Sequence, residues 1–272
     1  PGNNCAFNCR FGSNALGAGI MMRTFKLTVA YDGSGYHGFQ RQPRDITVQQ
    51  VLEDALSRIT GENVVLAGSG RTDSGVHARG QVVSFTTCCG IPTTNLKRAM
   101  NSILPPDITV IVSQEAEEGF HARFSAKWKR YCYRIVLNSD YDPFIRNYAW
   151  QMQNTKLNIE AMNMAAGFLL GTHDFSFFRS SGSVQSSPVK TIYKAVWQEK
   201  APGDLLFVIE GDGFLYRMVR NIVWNLAETG LGRKSLEQFK EELDKAERHF
   251  KISPAPPQGL YLDYVGYTEY LP

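Results

Sequence analysis

Short strand patterns and amphipathic helix patterns follow one another along this 272-residue chain in the order β-α-β-β-α-β, and then the same order returns, which predicts an α+β fold of two similar halves. Two further observations support that class. A chain with 43% hydrophobic and 20% charged residues can bury a substantial core, and Gly-, Pro- and Asp-rich segments punctuate the periodic ones.

Taken in order, residues 1–21 are rich in Gly and Asn and have no period, so they are expected to be a disordered or added leader outside the fold. Residues 25–31 alternate like a strand, and the turn-rich DGSGYHGFQRQPRD follows. Thr47 and Gln50 form a capping box ahead of a helix whose apolar stripe is Val48, Val51, Leu52, Ala55, Leu56 and Ile59. Strands at 64–68 and 81–86 flank a Gly-bounded loop, a helix fits 94–103, and 108–112 is a β-branched strand. The second run has strands at 131–137, 192–198, 206–210 and 261–267, helices at 158–169 and 215–228, and an extra helix at 236–246. This order is the ferredoxin-like split arrangement, with two helices on one face of a four-stranded antiparallel sheet. The boundary is placed near Gly119, giving halves over 22–118 and 119–272 that meet at a central cleft, with FRSSGSVQSSP as a mobile loop beside it.

Composition narrows the function. A net charge of +3 is too mild to identify a polyanion binder unless the charge is clustered. The odd set Cys5, Cys9, Cys88, Cys89 and Cys132 lacks paired CxxC motifs and points to a reduced, cytoplasmic home without structural zinc. His37, His77, His121 and His173 form no HxxxH or HxH pair, so no metal site is expected, and no P-loop or dinucleotide fingerprint implies a cofactor. No apolar run reaches the roughly 20 residues of a membrane span.

The most unusual stretch is GSGRTDSGVHARGQ, residues 68–81, which sets an acid and two arginines among glycines between two strands. Glycines allow tight turns and close approaches, so Asp73 can be presented to a bulky ligand, with Arg71 near enough in sequence to hold it ionised. The same spacing also fits a surface hairpin with a salt bridge. In KWKRYCYR, strand alternation puts Lys127, Lys129, Tyr131 and Tyr133 on one face, suited to phosphate contacts beside base stacking or to a solvated basic face. In FLYRMVRNIVWNLAETG, Leu215, Met218, Val219, Ile222, Val223 and Leu226 form a buried stripe, while Arg217, Arg220 and Asn221 lie on another side.

GRTDSGVHA resembles the GRTDAGVHA signature of the TruA-type tRNA pseudouridine synthases, differing only at Ser74. YDGSGYHGFQRQ, FSAKWKRYCYRI, GTHDFSFF, FLYRMVRNIV and APPQGLYL extend the resemblance, in order, over residues 23–268. It implies the pseudouridine synthase fold, with Asp73 as nucleophile, Tyr131 packed against the target base and Arg220 paired with the aspartate. It also implies a substrate, uridines 38, 39 and 40 of the tRNA anticodon stem-loop, and a homodimer without cofactors. Arg41, Arg44, His77, Arg79, Lys127, Lys129, Arg130 and Arg217 are candidate RNA contacts. Three positions depart from the family pattern: Ser74, Phe39 where tryptophan is frequent, and Trp224 where glycine is usual. The rival readings are a non-catalytic RNA-binding protein and a small-molecule enzyme on the same scaffold.

Overall fold

The computed structural model describes residues 22–138, 140–181, 187–246 and 253–271. The leader expected over 1–21 lies outside them, as does the middle of FRSSGSVQSSP. Strand β1 (Arg23–Tyr31) alternates buried and half-buried positions, as its period of two requires. Helix α1 (Val48–Thr60) starts where Thr47 Oγ1 accepts the Gln50 N–H and ends at Gly61 in a left-handed conformation. Strands β2 (Ala67–Gly68) and β3 (His77–Thr87), helix α2 (Thr93–Ile103) and strand β4 (Ile108–Ala116) complete the first run. Strand β2 is shorter than the expected 64–68 because α1 side chains take the backbone N–H groups of Val64 and Leu66, which donate to Ser57 Oγ and Glu53 Oε1.

The second run comprises β5 (Trp128–Asn138), β6 (Trp150–Gln153), α3 (Ile159–Gly167), β7 (Gly171–Asp174), β8 (Val189–Ala201), β9 (Asp204–Gly211), α4 (Met218–Gly230), α5 (Leu236–Lys245) and β10 (Leu260–Gly266). Strands β6 and β7 have four residues each, too few for a period to show in the sequence. Helix α4 begins at Met218 instead of 215 because Arg217 adopts a left-handed backbone conformation, φ 58°, that ends the preceding segment.

Both runs have the split topology: β4-β1-β3, with β2 also on β3, and β10-β5-β9-β8 with β7 beyond. They do not form two separate antiparallel sheets. Strand β10 pairs in parallel with β3 through Tyr261↔His77 and Leu262↔Ala78, so the described strands form one ten-stranded sheet. Gly80 permits this approach, since a Cβ there would stand 2.4 Å from the Asp263 carbonyl oxygen. The two-residue ladder is short, but one cluster of buried side chains crosses the seam, from Phe25 and Leu52 through Tyr133 to Phe207 and Leu226. Each large apolar side chain so buried contributes about 1.5–3 kcal/mol, so the shared core, more than the ladder, holds the runs together.

Trp224 stacks face to face on Trp150 of β6, with ring centroids 5.7 Å apart and planes 7° from parallel. The indole therefore fills space beside the sheet and leaves α4 regular. Among the described residues Cys89 and Cys132 stand outside any disulfide, and the Cys88 thiol donates to Glu62 Oε1. Among the described residues no helix is long and apolar enough to cross a membrane.

Candidate active site

The loop between β2 and β3, residues 69–76, is clamped from two sides. On one side the buried Gln81 Oε1 accepts from Ser69 Oγ at 2.6 Å, and its Nε2 donates to Gly70 O at 2.8 Å. On the other side the DGSGYHGFQ segment packs against the loop: the Phe39 N–H donates to Thr72 O at 3.1 Å, Ser74 Oγ donates to Tyr36 O at 3.2 Å, and the Tyr31 hydroxyl shares a 2.8 Å hydrogen bond with Thr72 Oγ1. Gly38 is required here twice over, by its φ of +88° and because a Cβ would come within 2.7 Å of Thr72 O. The two glycine-rich motifs are thus one structural unit, and a turn closed by the Val76 N–H on Asp73 O (3.1 Å) presents the Asp73 side chain.

Asp73 meets α4 from the other run. Its Oδ2 accepts from Arg220 Nη1 at 2.8 Å and lies 3.8 Å from Arg217 Nε, with side-chain exposures of 18% for Asp73 and 9% for Arg220. Arg220 Nε donates to Ala255 O at 2.6 Å, so the planar guanidinium is fixed at two atoms on a packed helix. Arg217 occupies the N-cap of α4 in its left-handed conformation, a strain of order 1–2 kcal/mol for a residue with a Cβ, and its guanidinium lies 4.9 Å above the Tyr216 ring.

Tyr131 on β5 is buried in the same cleft, its ring edge-on to Phe214 at 5.0 Å. Burial, reinforced by Tyr31 and by the charge of Asp73, pushes its phenol well above the usual tyrosine range, so it is neutral at physiological pH. The cleft has a volume of about 940 Å³ and is lined from both runs. That is at the large end of the ~300–1,000 Å³ typical of small-molecule sites, with room for a nucleoside and its flanking backbone. Among the described residues no group of three His, Cys, Asp or Glu could hold a metal ion.

The structure brings together Asp73, Tyr131, Arg220 and Arg217, but not Arg71. Arg71 is exposed on the cleft wall and makes no ion pair with Asp73, so sequence proximity misidentified the second cation; Arg217 occupies that place. His77 is buried at 2% exposure. Its Nδ1 accepts the Gly33 N–H at 3.1 Å and its Nε2–H donates to Asn147 O at 2.8 Å, while its ring stacks on Tyr261 at 4.8 Å. Nδ1 also lies 3.1 Å from Asp32 Oδ1, whose charge opposes the lowering of the His77 pKa by burial.

Four of the other basic candidates are engaged by carboxylates: Arg41 by Glu53, Arg79 by Asp263, Lys127 by Glu269, and Arg130 by Glu210. Arg44 is exposed, and Lys129 lines the cleft. Sequence reading missed Tyr31 and Phe214, which hold Thr72 and Tyr131 in place. Nothing marks Tyr31 beyond its strand alternation, whereas Phe214 opens the FLYRMVRNIV motif.

A family model described as tRNA pseudouridine synthase matches residues 27–125 and 165–268. The chain belongs to the tRNA pseudouridine synthase family. The first matched block contains the Asp73 loop and the second contains α4; Tyr131 falls between them. The tRNA pseudouridine synthase A of Thermoanaerobacter sp. (strain X514) is 47% identical over 242 residues, covering 89% of this chain and 98% of that protein. Those of Acetivibrio thermocellus and Latilactobacillus sakei subsp. sakei are 44% and 43% identical over 246 and 249 residues, each covered in full.

Proposed function

We propose that this chain isomerises uridine to pseudouridine at positions 38, 39 and 40 of the tRNA anticodon stem-loop, with Asp73 as nucleophile. The observation that carries this reading is the pairing of Asp73 with Arg220 at 2.8 Å in a cleft that also contains the Tyr131 ring. In the reaction the C1′–N1 bond breaks, the uracil turns, and a C1′–C5 bond forms. The C5 proton leaves, N1 gains one, and nothing is oxidised or reduced.

Asp73 forms the covalent bond, at C1′ of the ribose or C6 of the base, while Arg220 fixes the orientation of the carboxylate. Extruding the base from its stack costs a few kcal/mol, which contact with Tyr131 and phosphate binding offset. Burial keeps the Tyr131 phenol protonated, so it serves as a relay in which its oxygen accepts the C5 proton as its own proton passes to solvent in the open cleft.

Modification of neighbouring sites fits recognition of RNA by shape and backbone. We further propose that the enzyme acts in the cytoplasm as a homodimer, which light scattering tests against twice the 30.5 kDa chain mass. The deciding experiment measures tritium release from tRNA labelled at uridine C5, wild type against Asp73→Asn. Release by wild type alone supports the assignment; release by neither, with tRNA still bound, favours a non-catalytic RNA-binding protein.

A further inference from the structure

One wall of the cleft holds a charge pattern that the chemistry at Asp73 does not use. It is built from the turn at residues 121–125, from β5, and from the segment around Lys190 and Gly213, and it carries Arg123, Lys129 and Lys190. Among the described residues none of the three has a carboxylate within ion-pair distance, unlike the basic residues outside the cleft, such as Arg79, Lys127 and Arg130. The three are close enough to repel one another: the Lys129 ammonium is pushed down to about 8, first by burial and then by Arg123 and Lys190, opposed by Asp212. Lys129 also reaches the start of the Asp73 loop, its Cε lying 3.6 Å from where a Cβ on Gly70 would stand. Like charges held together in a partly dry cleft, and only partly offset by Asp212, are a standing cost, relieved further when an anion sits among them.

Beside these cations stands Phe124, 76% exposed although its turn is rigidly built. Ala122 is wholly buried; its N–H donates to Ser84 Oγ at 2.9 Å and its carbonyl accepts the Tyr267 hydroxyl at 2.8 Å. His121 Nδ1 accepts the Arg123 N–H, the His121 ring lies 4.4 Å from the Phe124 ring, and the Arg123 guanidinium lies 5.6 Å from that ring. An aromatic face held out to solvent on a fixed turn, next to unpaired cations, offers what an unstacked nucleobase and its phosphates need.

We propose that this wall is a second RNA subsite, in which Arg123, Lys129 and Lys190 hold phosphates flanking the extruded uridine and Phe124 stacks on an unpaired neighbouring base. The proposal rests on the reading of the cleft as an RNA-modifying site, and deepens it by assigning the strand a path along the β5 side.

The test uses the full chain and unmodified tRNA, with affinity measured across a salt series and tritium release measured in parallel. Arg123→Gln combined with Lys190→Gln is expected to flatten the slope of log Kd against log salt by about 1.4, close to 0.7 for each single-strand phosphate no longer neutralised. Phe124→Ala is expected to weaken binding about tenfold at every salt concentration without changing the slope, and Phe124→Trp to restore it. Wild-type affinity and slope in both folded variants, with tritium still released, would overturn the subsite and leave the enzymatic reading intact. If Phe124→Ala shifted the monomer–dimer balance in light scattering without changing tRNA affinity, Phe124 would be a protein contact and the proposal would fall. No tritium release by wild type, with the expected slope change retained, would instead overturn the enzymatic reading and, with it, the extruded uridine that the subsite flanks, leaving the wall a plain RNA-binding surface.

Discussion

Removing the Arg220 charge tests the electrostatics of the site most directly. At an effective dielectric of about 20, charges separated by 4 Å attract by roughly 4 kcal/mol, and the 2.8 Å Asp73–Arg220 contact is closer still. Much of that attraction is cancelled by desolvation, yet deleting one partner of a buried pair costs about 3–5 kcal/mol, because the other is left stranded. Here Asp73 keeps 18% exposure and the more distant Arg217, so a lower figure of about 2–3 kcal/mol applies to Arg220→Met. For a chain of this size that corresponds to a fall in Tm of about 4–12 °C.

Asp73→Asn strands the guanidinium in the same way, so the double variant should be less destabilised than the sum of the singles, by at least about 1 kcal/mol. Thermal or urea unfolding of the four proteins gives this coupling, and tritium release from labelled tRNA should fall at least about a hundredfold in each variant. Additivity within about 0.5 kcal/mol, or near-normal activity in Arg220→Met, would refute the argument that this ion pair organises the nucleophile.

Gly38→Ala forces a Cβ onto Thr72 O in a left-handed conformation and should cost at least about 2 kcal/mol, with tritium release down more than tenfold; an unchanged Tm would contradict the close approach. Tyr131→Phe should keep tRNA affinity while losing most turnover, whereas Tyr131→Ala should weaken binding as well, and equal Kd values for the two would argue against stacking. His77 has its pKa lowered from 6.5 by burial, so the unfolded chain binds its proton more tightly, and the stability from His77 is complete above about pH 6.5 and lost as pH falls below it. The Tm of wild type should therefore drop more steeply between pH 6.5 and 5 than that of His77→Gln, and parallel curves would show that His77 is not the group responsible. Trp224→Gly removes the stack on Trp150 and adds a helix-interior glycine, so it should cost about 3 kcal/mol in urea unfolding with tritium release per folded molecule unchanged.

By itself the sequence determined the order of the longer elements, though not β6 or β7, and singled out Asp73 as an acid on a glycine-rich loop, its role as nucleophile resting on the family resemblance. Period and caps are local: the α1 stripe, the Thr47 cap and the alternation of Lys129, Tyr131 and Tyr133 all follow from side-chain direction within a few residues. Arg220 became a partner for Asp73 only through family resemblance, since helical period says which side an arginine occupies and nothing about what faces it. The tertiary structure decided the rest. Joining of β10 to β3 brings together residues 147 positions apart, puts Arg217 where Arg71 was expected, and buries His77 beneath the seam. It also sorts the basic residues, engaging Arg41, Arg79, Lys127 and Arg130 with carboxylates and leaving Arg123, Lys129 and Lys190 in the cleft with no carboxylate within ion-pair distance among the described residues. The physical reason is that charge pairing depends on distances of a few ångströms between strands and helices remote in sequence, and those distances exist only once the common core has closed.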